Sequence, residues 1–269
     1  MIKSSLKSLK KCIKLRNKIA YYEGFFTDLN MLPALTNNSE LERSIKRLCG
    51  NILHDIWNLT TIIERLEDTR IRSINDSSYR DLWSKYAQLD IEHFHFEIRS
   101  IMDYLSLIIN ISSNKANQLP ESYNGLTDFA LKNSQKGIKL YGEEIHNLLI
   151  KFSKWFIFQR KIRDDIIHRG FECLVFGNPS EGILFMINNI KFKKSIDNDY
   201  LFFNEIVFNK NGVLSFEKYA VINISVVVYL LENISEILLR KFNYNSKTRK
   251  TRITSNGFKI LLKWVKYFK

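Results

Sequence analysis

Proline, glycine and cysteine are scarce in this sequence. Its 269 residues include three prolines and ten glycines, too few for a turn-rich β-sandwich, in which a turn recurs about every 8 to 12 residues. The three cysteines, Cys12, Cys49 and Cys173, form no CxxC pair and leave one thiol unpaired under any bridging scheme. They give no support for a disulfide framework or a thiolate zinc site. These scarcities favour a mainly helical protein of a reducing cytoplasm.

Long apolar runs are also missing. The longest, residues 221–231, is interrupted by Asn223 and Ser225 and is followed by Glu232, so it lacks the composition of a membrane span. The basic amino terminus is not followed by the apolar segment of a secretory signal. With 45% hydrophobic and 26% charged residues, the chain has the composition of a globular protein with a buried core. We expect a cytoplasmic protein with no transmembrane segment.

Acidic residues are absent from both ends of the chain. Residues 1–20 carry seven Lys or Arg and residues 247–269 carry eight, with no Asp or Glu in either segment. Because the whole chain has a net charge of +13, residues 21–246 are left with −2. Basic ends attract polyanions through counterion release, with nucleic acid the usual partner and an anionic membrane surface the second. The alternative is that these lysines only keep the protein soluble.

Apolar residues recur every three or four positions in five segments, which is the spacing of amphipathic helices. The segments are residues 4–22, 39–72, 79–111, 136–169 and 217–242. Asn38 is placed to cap the second of these helices, and Gly170 to end the fourth. Residues 114–125, which include Pro120, are expected to form a loop.

The pattern changes between residues 171 and 216. Short apolar runs there are separated by Gly-Asn-Pro-Ser and by Asn-Lys-Asn-Gly, which are hairpin signals. The predicted fold is therefore mainly α. We expect an antiparallel helical bundle over residues 1–243, with a small antiparallel β insertion at about 171–216 and a basic tail over 244–269.

Most of the common catalytic motifs are missing. The sequence has no Walker loop and no GxGxxG, GxSxG or HExxH. His93 and His95 are two apart and point about 200° away from each other on a helix, so they cannot chelate one metal ion. They are interpreted as surface or core histidines. We predict neither a cofactor nor a metal site.

One segment near the end of the fourth predicted helix does carry a catalytic pattern. Arg163 is followed by the polar Asp164, three further residues and His168. This pattern resembles the signature of the HEPN superfamily, whose members include toxin, antiphage and RNA-processing ribonucleases. A second match runs from Arg47 to His54, but the apolar Leu48 follows its arginine. The resemblance in architecture covers residues 40–243.

The resemblance implies a metal-independent endoribonuclease of the toxin or phage-defence type, which cleaves single-stranded RNA. His168 moves the proton of the ribose 2′-hydroxyl, Arg163 neutralises the pentavalent phosphate, and Asp164 holds the imidazole or orders the arginine. Residues five apart diverge by about 140° on a helix, so Arg163 and His168 of one chain do not converge. The family resolves this with a symmetric dimer whose motif helices face each other. An antitoxin or another regulatory partner is a further implied partner.

The basic residues assigned to RNA binding lie beside the motif and in the tail. They are Arg160, Lys161, Arg169, Lys259, Lys263 and Lys266. The three tail lysines share one side of a predicted amphipathic helix, with apolar residues opposite. That helix can dock on its own bundle, lie on a membrane or steer RNA. Docking of its apolar face, with the lysines turned outward, is the favoured interpretation.

Two alternatives remain open. The first is that the acids and arginines around residue 164 are surface ion pairs at a helix end, where the helix dipole favours His168. The second is that the bundle is a non-catalytic regulatory protein that binds nucleic acid or a partner.

Overall fold

The structure is a computed structural model. It describes residues 2–16, 19–30, 39–80, 82–113, 118–169, 173–178, 182–187, 207–209, 213–243, 250–251 and 255–268. Its helices, in chain order, are α1 Ile2–Cys12, α2 Phe25–Asn30, α3 Ser39–Asn75, α4 Ser77–Arg80, α5 Trp83–Ile111, α6 Tyr123–Lys132, α7 Ser134–Tyr141, α8 Glu143–Arg169, α9 Phe216–Lys241 and α10 Asn256–Trp264. Its strands are β1 Ile13–Arg16, β2 Ile19–Glu23, β3 Cys173–Asn178, β4 Gly182–Ile187, β5 Val207–Asn209, β6 Val213–Ser215 and β7 Lys250–Thr251. The predicted class, mainly α with a small antiparallel sheet, is confirmed.

The four long helices α3, α5, α8 and α9 form the bundle. Helix α5 packs against the other three, and α9 is buried on almost every side. Asn223, which interrupts the apolar run of α9, accepts a hydrogen bond from Trp155 Nε1 of α8 at 2.8 Å and donates to the Tyr219 carbonyl at 2.8 Å. Among the described residues, α9 is the helix long and apolar enough to cross a membrane, and 78% of its apolar window is buried inside the protein. It is the central core helix of this bundle.

The amino-terminal helix predicted over residues 4–22 is wrong in its second half. Helix α1 ends at Cys12, and strands β1 and β2 form an antiparallel hairpin in which Ile13 pairs with Tyr22. Ala20 and Tyr22 of β2 are two residues apart and are both buried, which is the period of a strand that covers the core with one face. Apolar residues at a spacing of four fit a period of two as well as a helical period over so short a length, which is why the helical pattern was misleading.

A buried carboxylate joins this amino-terminal part to the bundle. Glu232 of α9 accepts hydrogen bonds from the Tyr22 hydroxyl at 2.5 Å and from the backbone N–H groups of Phe25 at 2.7 Å and Phe26 at 3.2 Å. The two N–H groups begin α2, where a negative charge is favourable. Burial raises the pKa of Glu232, and these donors oppose the rise.

Three further boundaries differ from the predicted ones. The third predicted helix divides into α4 and α5, and the fourth divides into α7 and α8 at Gly142, whose φ is 92°. The expected loop over 114–125 is interrupted by α6, which begins at Tyr123 and is capped by the Ser122 hydroxyl. The second predicted helix, over residues 39–72, is confirmed as α3, which continues to Asn75. A single positive-φ glycine decides the division of α7 from α8, because L-residues avoid that conformation.

The β insertion is confirmed as an antiparallel sheet with the strand order β3, β4, β6, β5. Strand β3 lies against α5 and strand β4 against α9. The ring of Phe185 in β4 packs edge to face on Phe216 and Tyr219, with centroids 6.0 and 5.2 Å apart. The sheet therefore covers the ends of the two central helices.

The carboxyl-terminal helix docks on the bundle, as favoured from its sequence. Phe258, Leu261 and Trp264 are buried, and α10 packs against α3, α9 and β2. Gly257 lies so close to the Thr60 carbonyl of α3 that any side chain would collide with it. Strand β7, which was not predicted, pairs with β2. Both ends of the chain thus meet in one small sheet.

Candidate active site

The predicted motif lies in the last turns of α8. Asp164 accepts a hydrogen bond from Arg163 at 2.9 Å through Oδ1 and one from Arg160 Nε at 3.2 Å through Oδ2. A carboxylate held between two guanidinium groups fixes the orientation of both. Of the two roles expected for Asp164, ordering the arginine is the one that these distances describe.

Arg163 and Arg160 are also tied to neighbouring helices. The Arg163 guanidinium carbon lies over the ring of Phe96 in α5, 5.8 Å from its centroid. Arg160 NH1 donates to Asn124 Oδ1 of α6 at 2.7 Å. Arg163 remains 26% exposed and Phe96 44% exposed. The result is a surface on which a planar cation lies on an open aromatic ring.

The histidine of the motif is described only through its backbone. His168 and Arg169 belong to the last turn of α8, and their side chains lie outside the described residues, as does Gly170. The expected stacking of His168 on Asp164 therefore stays a prediction.

The two adjacent acid pairs of α8 differ from each other. Glu143 and Glu144 are both exposed in the first turn. Asp165 is fully buried whereas Asp164 is partly exposed. Asp164 and Asp165 therefore do not form one solvated acidic face, because a helix turns successive residues about 100° apart.

Two other histidines are core residues. The ring nitrogens of His95 lie 2.7 Å from the Ile91 carbonyl oxygen and 2.8 Å from the Tyr219 hydroxyl, and burial lowers the pKa of His95 to about 4. His146 is buried, with Nε2 3.0 Å from the Ser134 hydroxyl. Both are satisfied by neighbours that the sequence pattern did not reveal.

His93 has a different environment, which the sequence analysis missed. Its Nε2 lies 2.8 Å from Glu97 Oε1, one helical turn further along α5. The same oxygen accepts a hydrogen bond from Asn58 Nδ2 of α3 at 3.1 Å. The spacing of four between His93 and Glu97 is the signal in the sequence that places the two side chains on one face of a helix. The burial of Glu97 could not be read from that spacing.

Glu97 is one of two buried carboxyl groups between α3 and α5. It hydrogen-bonds to Asp55, and burial raises the pKa of both groups. The charge of Asp55 raises the pKa of Glu97 further, and His93 lowers it. The two carboxyl groups thus form a buried pair next to the exposed imidazole of His93.

The second match to the motif has no such support. Arg47 and His54 are both exposed on α3, and His54 stacks on Trp57 with ring centroids 6.2 Å apart.

The residues assigned to RNA binding fall into two groups. Arg160 and the partly exposed Lys161 lie on α8, which packs against α5, α6, α7 and α9. Lys263 and Lys266 are exposed at the end of the chain, and Lys259 Nζ donates to Asn256 Oδ1 at 3.0 Å. The tail lysines are thus carried by a helix on the α3 side of the bundle.

Among the described residues, no group of three or more His, Cys, Asp or Glu side chains is arranged to hold a metal ion. No protein-family model matches the chain, and no curated protein or solved structure is significantly similar to it.

Proposed function

We propose that the protein is a metal-independent endoribonuclease of the toxin or phage-defence type, which cleaves RNA through attack by the ribose 2′-hydroxyl. The observation that carries this proposal is the Arg163 guanidinium, which is ordered by Asp164 and lies on Phe96 at the surface. An ordered guanidinium stabilises the charge that develops on a pentavalent phosphate without reorganising during the reaction.

The aromatic ring beneath Arg163 supports single-stranded RNA as the substrate. Phe96 keeps 44% of its surface exposed, and an open ring beside a cation suits a base that stacks while its phosphate meets the arginine. Duplex RNA keeps its bases stacked inside the helix, where a ring on a protein surface cannot reach them.

His168 supplies the proton transfer in this proposal. It follows Arg163 by five residues on α8, so the two side chains diverge by about 140°. A symmetric homodimer with the α8 helices facing each other brings the Arg163 of one copy to the His168 of the other. The exposed lysines of the tail add affinity for the RNA backbone.

A second candidate function is a non-catalytic protein that binds RNA or a regulatory partner such as an antitoxin. The specific observation in its favour is that Asp164 already engages both Arg160 and Arg163. An RNA phosphate must compete with the Asp164 carboxylate for these guanidinium groups, which weakens the stabilisation of the transition state. Binding without cleavage would then be the outcome.

Cleavage of a labelled single-stranded RNA by the full chain in EDTA tests the proposal. We expect fragments that end in 2′,3′-cyclic phosphate. Arg163→Ala and His168→Ala should each lower the rate about a hundredfold or more, which is typical for the loss of such a group. Arg47→Ala and His54→Ala, the exposed pair of the poorer match, are the matched controls and should cleave at the wild-type rate.

The opposite results are equally informative. RNA that is bound but never cut by the wild-type protein favours the second candidate function. Cleavage by His168→Ala at the wild-type rate contradicts the assignment of the site.

A further inference from the structure

We propose that His93 is the general base of the RNA cleavage, held in place by the buried Glu97. This inference rests on the proposed ribonuclease function and adds a residue that the HEPN-like motif does not contain. Cleavage by 2′-hydroxyl attack needs a group that takes the hydroxyl proton and a group that gives a proton to the leaving oxygen. One histidine, His168, supplies only one of these two groups.

The hydrogen bond between His93 and Glu97 determines which imidazole nitrogen is available. Nε2 of His93 lies 2.8 Å from Glu97 Oε1, and Asn58 Nδ2 also donates to this oxygen. A carboxylate oxygen only accepts hydrogen bonds, and the lone pair of Oε1 that Asn58 leaves free takes the hydrogen of Nε2 in the neutral ring. The lone pair is then on Nδ1, as a base requires.

The burial of Glu97 distinguishes this pair from an ordinary surface pair. His93 is 53% exposed, whereas the Glu97 side chain is 9% exposed. An exposed pair one helical turn apart contributes little. Here the acceptor is packed between two helices, held by Asn58, and lies beside the buried Asp55. A base whose partner is itself fixed has the arrangement of a working acid–base dyad.

The surroundings of His93 carry further negative charge. Asp90, one turn earlier in α5, is paired with Arg65 of α3 at 2.9 Å, and the charges of Asp90, Asp55 and Glu97 all interact with His93. The imidazole of His93 therefore lies among carboxyl groups of both helices.

Phe96 connects His93 to Arg163. It follows His93 by three residues, so the two side chains are neighbours on the exposed side of α5, and Arg163 lies over its ring. A nucleotide whose base covers Phe96 therefore has the guanidinium on one side and the imidazole on the other. His54 of α3 is also exposed, but it stacks on Trp57 and has no carboxylate bonded to its ring among the described residues.

The reaction balances with these groups. Nδ1 of His93 takes the proton from the 2′-oxygen, which forms its bond to phosphorus while the bond from phosphorus to the 5′-oxygen breaks. The departing 5′-oxygen takes a proton from the His168 imidazolium, which a helix end favours. The products are a 2′,3′-cyclic phosphate and a free 5′-hydroxyl. Exchange with water returns both histidines to their starting states.

Two substrates separate the base from the acid. The first is a dinucleotide such as uridylyl-3′,5′-adenosine, whose alkoxide must be protonated as it leaves. The second is uridine 3′-(4-nitrophenyl phosphate), whose leaving group departs without a proton. We expect His93→Gln to lower the rate about a hundredfold with both substrates. His168→Ala should lose as much with the dinucleotide but recover most of its rate with the nitrophenyl ester.

Controls keep a loss of structure apart from a loss of chemistry. His54→Gln, the same substitution at an exposed histidine of α3, should leave both rates unchanged. His93→Gln should unfold at the wild-type denaturant concentration, and His93→Ala should repeat its pattern of rates. Glu97→Gln should lower both rates in parallel, since it acts through His93.

Each of the other outcomes contradicts one part of the proposal. A wild-type rate for His93→Gln, with Arg163→Ala inactive, overturns the role of His93 and leaves the ribonuclease intact. Recovery of His93→Gln with the nitrophenyl ester shows that the residue is the acid and not the base. Failure of the wild-type protein to cleave either substrate overturns the proposed function and this inference together.

Discussion

His93 and His95 are two positions apart in α5 and have opposite environments. His93 is exposed and contacts the buried carboxyl group of Glu97, whereas His95 is enclosed between the Ile91 carbonyl and Tyr219. A helix turns about 200° between them, so one faces solvent and the other faces the core. The two residues are of the same type, but their side chains point in opposite directions and therefore have different roles.

The lowered pKa of His95, about 4, makes stability depend on pH. An unfolded histidine titrates near 6.5. Between these two pKa values the unfolded chain binds a proton at this residue and the folded protein does not, so the free energy of unfolding falls as the pH falls. Going from pH 7 to pH 5, this group alone removes about 2 kcal/mol.

Urea unfolding at both pH values measures this contribution. We expect the loss of stability between pH 7 and pH 5 to be smaller in His95→Gln than in the wild type by about that amount. The raised pKa of Asp55, Glu97 and Glu232 acts in the opposite direction, but it is common to both proteins and cancels in the comparison. An equal loss in the two proteins contradicts the burial of a neutral His95.

At the scale of elements, α10 shows how one helix serves both the core and the surface. Phe258, Leu261 and Trp264 are buried against the bundle, and Lys263 is exposed. Removing residues 247–269 would uncover this core surface as well as remove charge. A test of RNA binding by the tail therefore has to change the lysines and keep the helix.

Replacement of Lys259, Lys263 and Lys266 by Gln is that test. If all three contact phosphates of a single strand, the slope of log affinity against log salt should decrease in magnitude by about 2, since each contact contributes about 0.7. Glutamine preserves helix propensity, so the unfolding midpoint should stay close to the wild-type value. The matched control is Lys132, Lys136 and Lys139→Gln near α7, and an unchanged slope in the tail variant rejects the tail as an RNA element.

At the scale of the whole molecule, the proposed site is incomplete in one chain. We expect a dimer by light scattering at micromolar concentration. Mixing equal amounts of His168→Ala and Arg163→Ala should restore about a quarter of the wild-type activity, because half of the dimers are mixed and each has one intact site of two. An active monomer, or no recovery after subunit exchange, contradicts a site built from two copies.

The sequence by itself determined the helical class, the long helix α3, the core helix α9, the β insertion and the docked tail helix. Each of these has a long or strongly marked pattern, whose period is a local property of the chain. It also placed Arg163 and Asp164 near the end of a late helix, because their neighbours keep the helical step through residue 169.

The tertiary structure alone decided what each polar side chain meets. It turned residues 13–23 into a hairpin, because a second strand from the far end of the chain pairs with β2. It put Phe96 under Arg163 and buried Glu97 against Asp55 under His93. These contacts join residues of different helices, and a helical period fixes which way a side chain points on its own helix but not what lies opposite it.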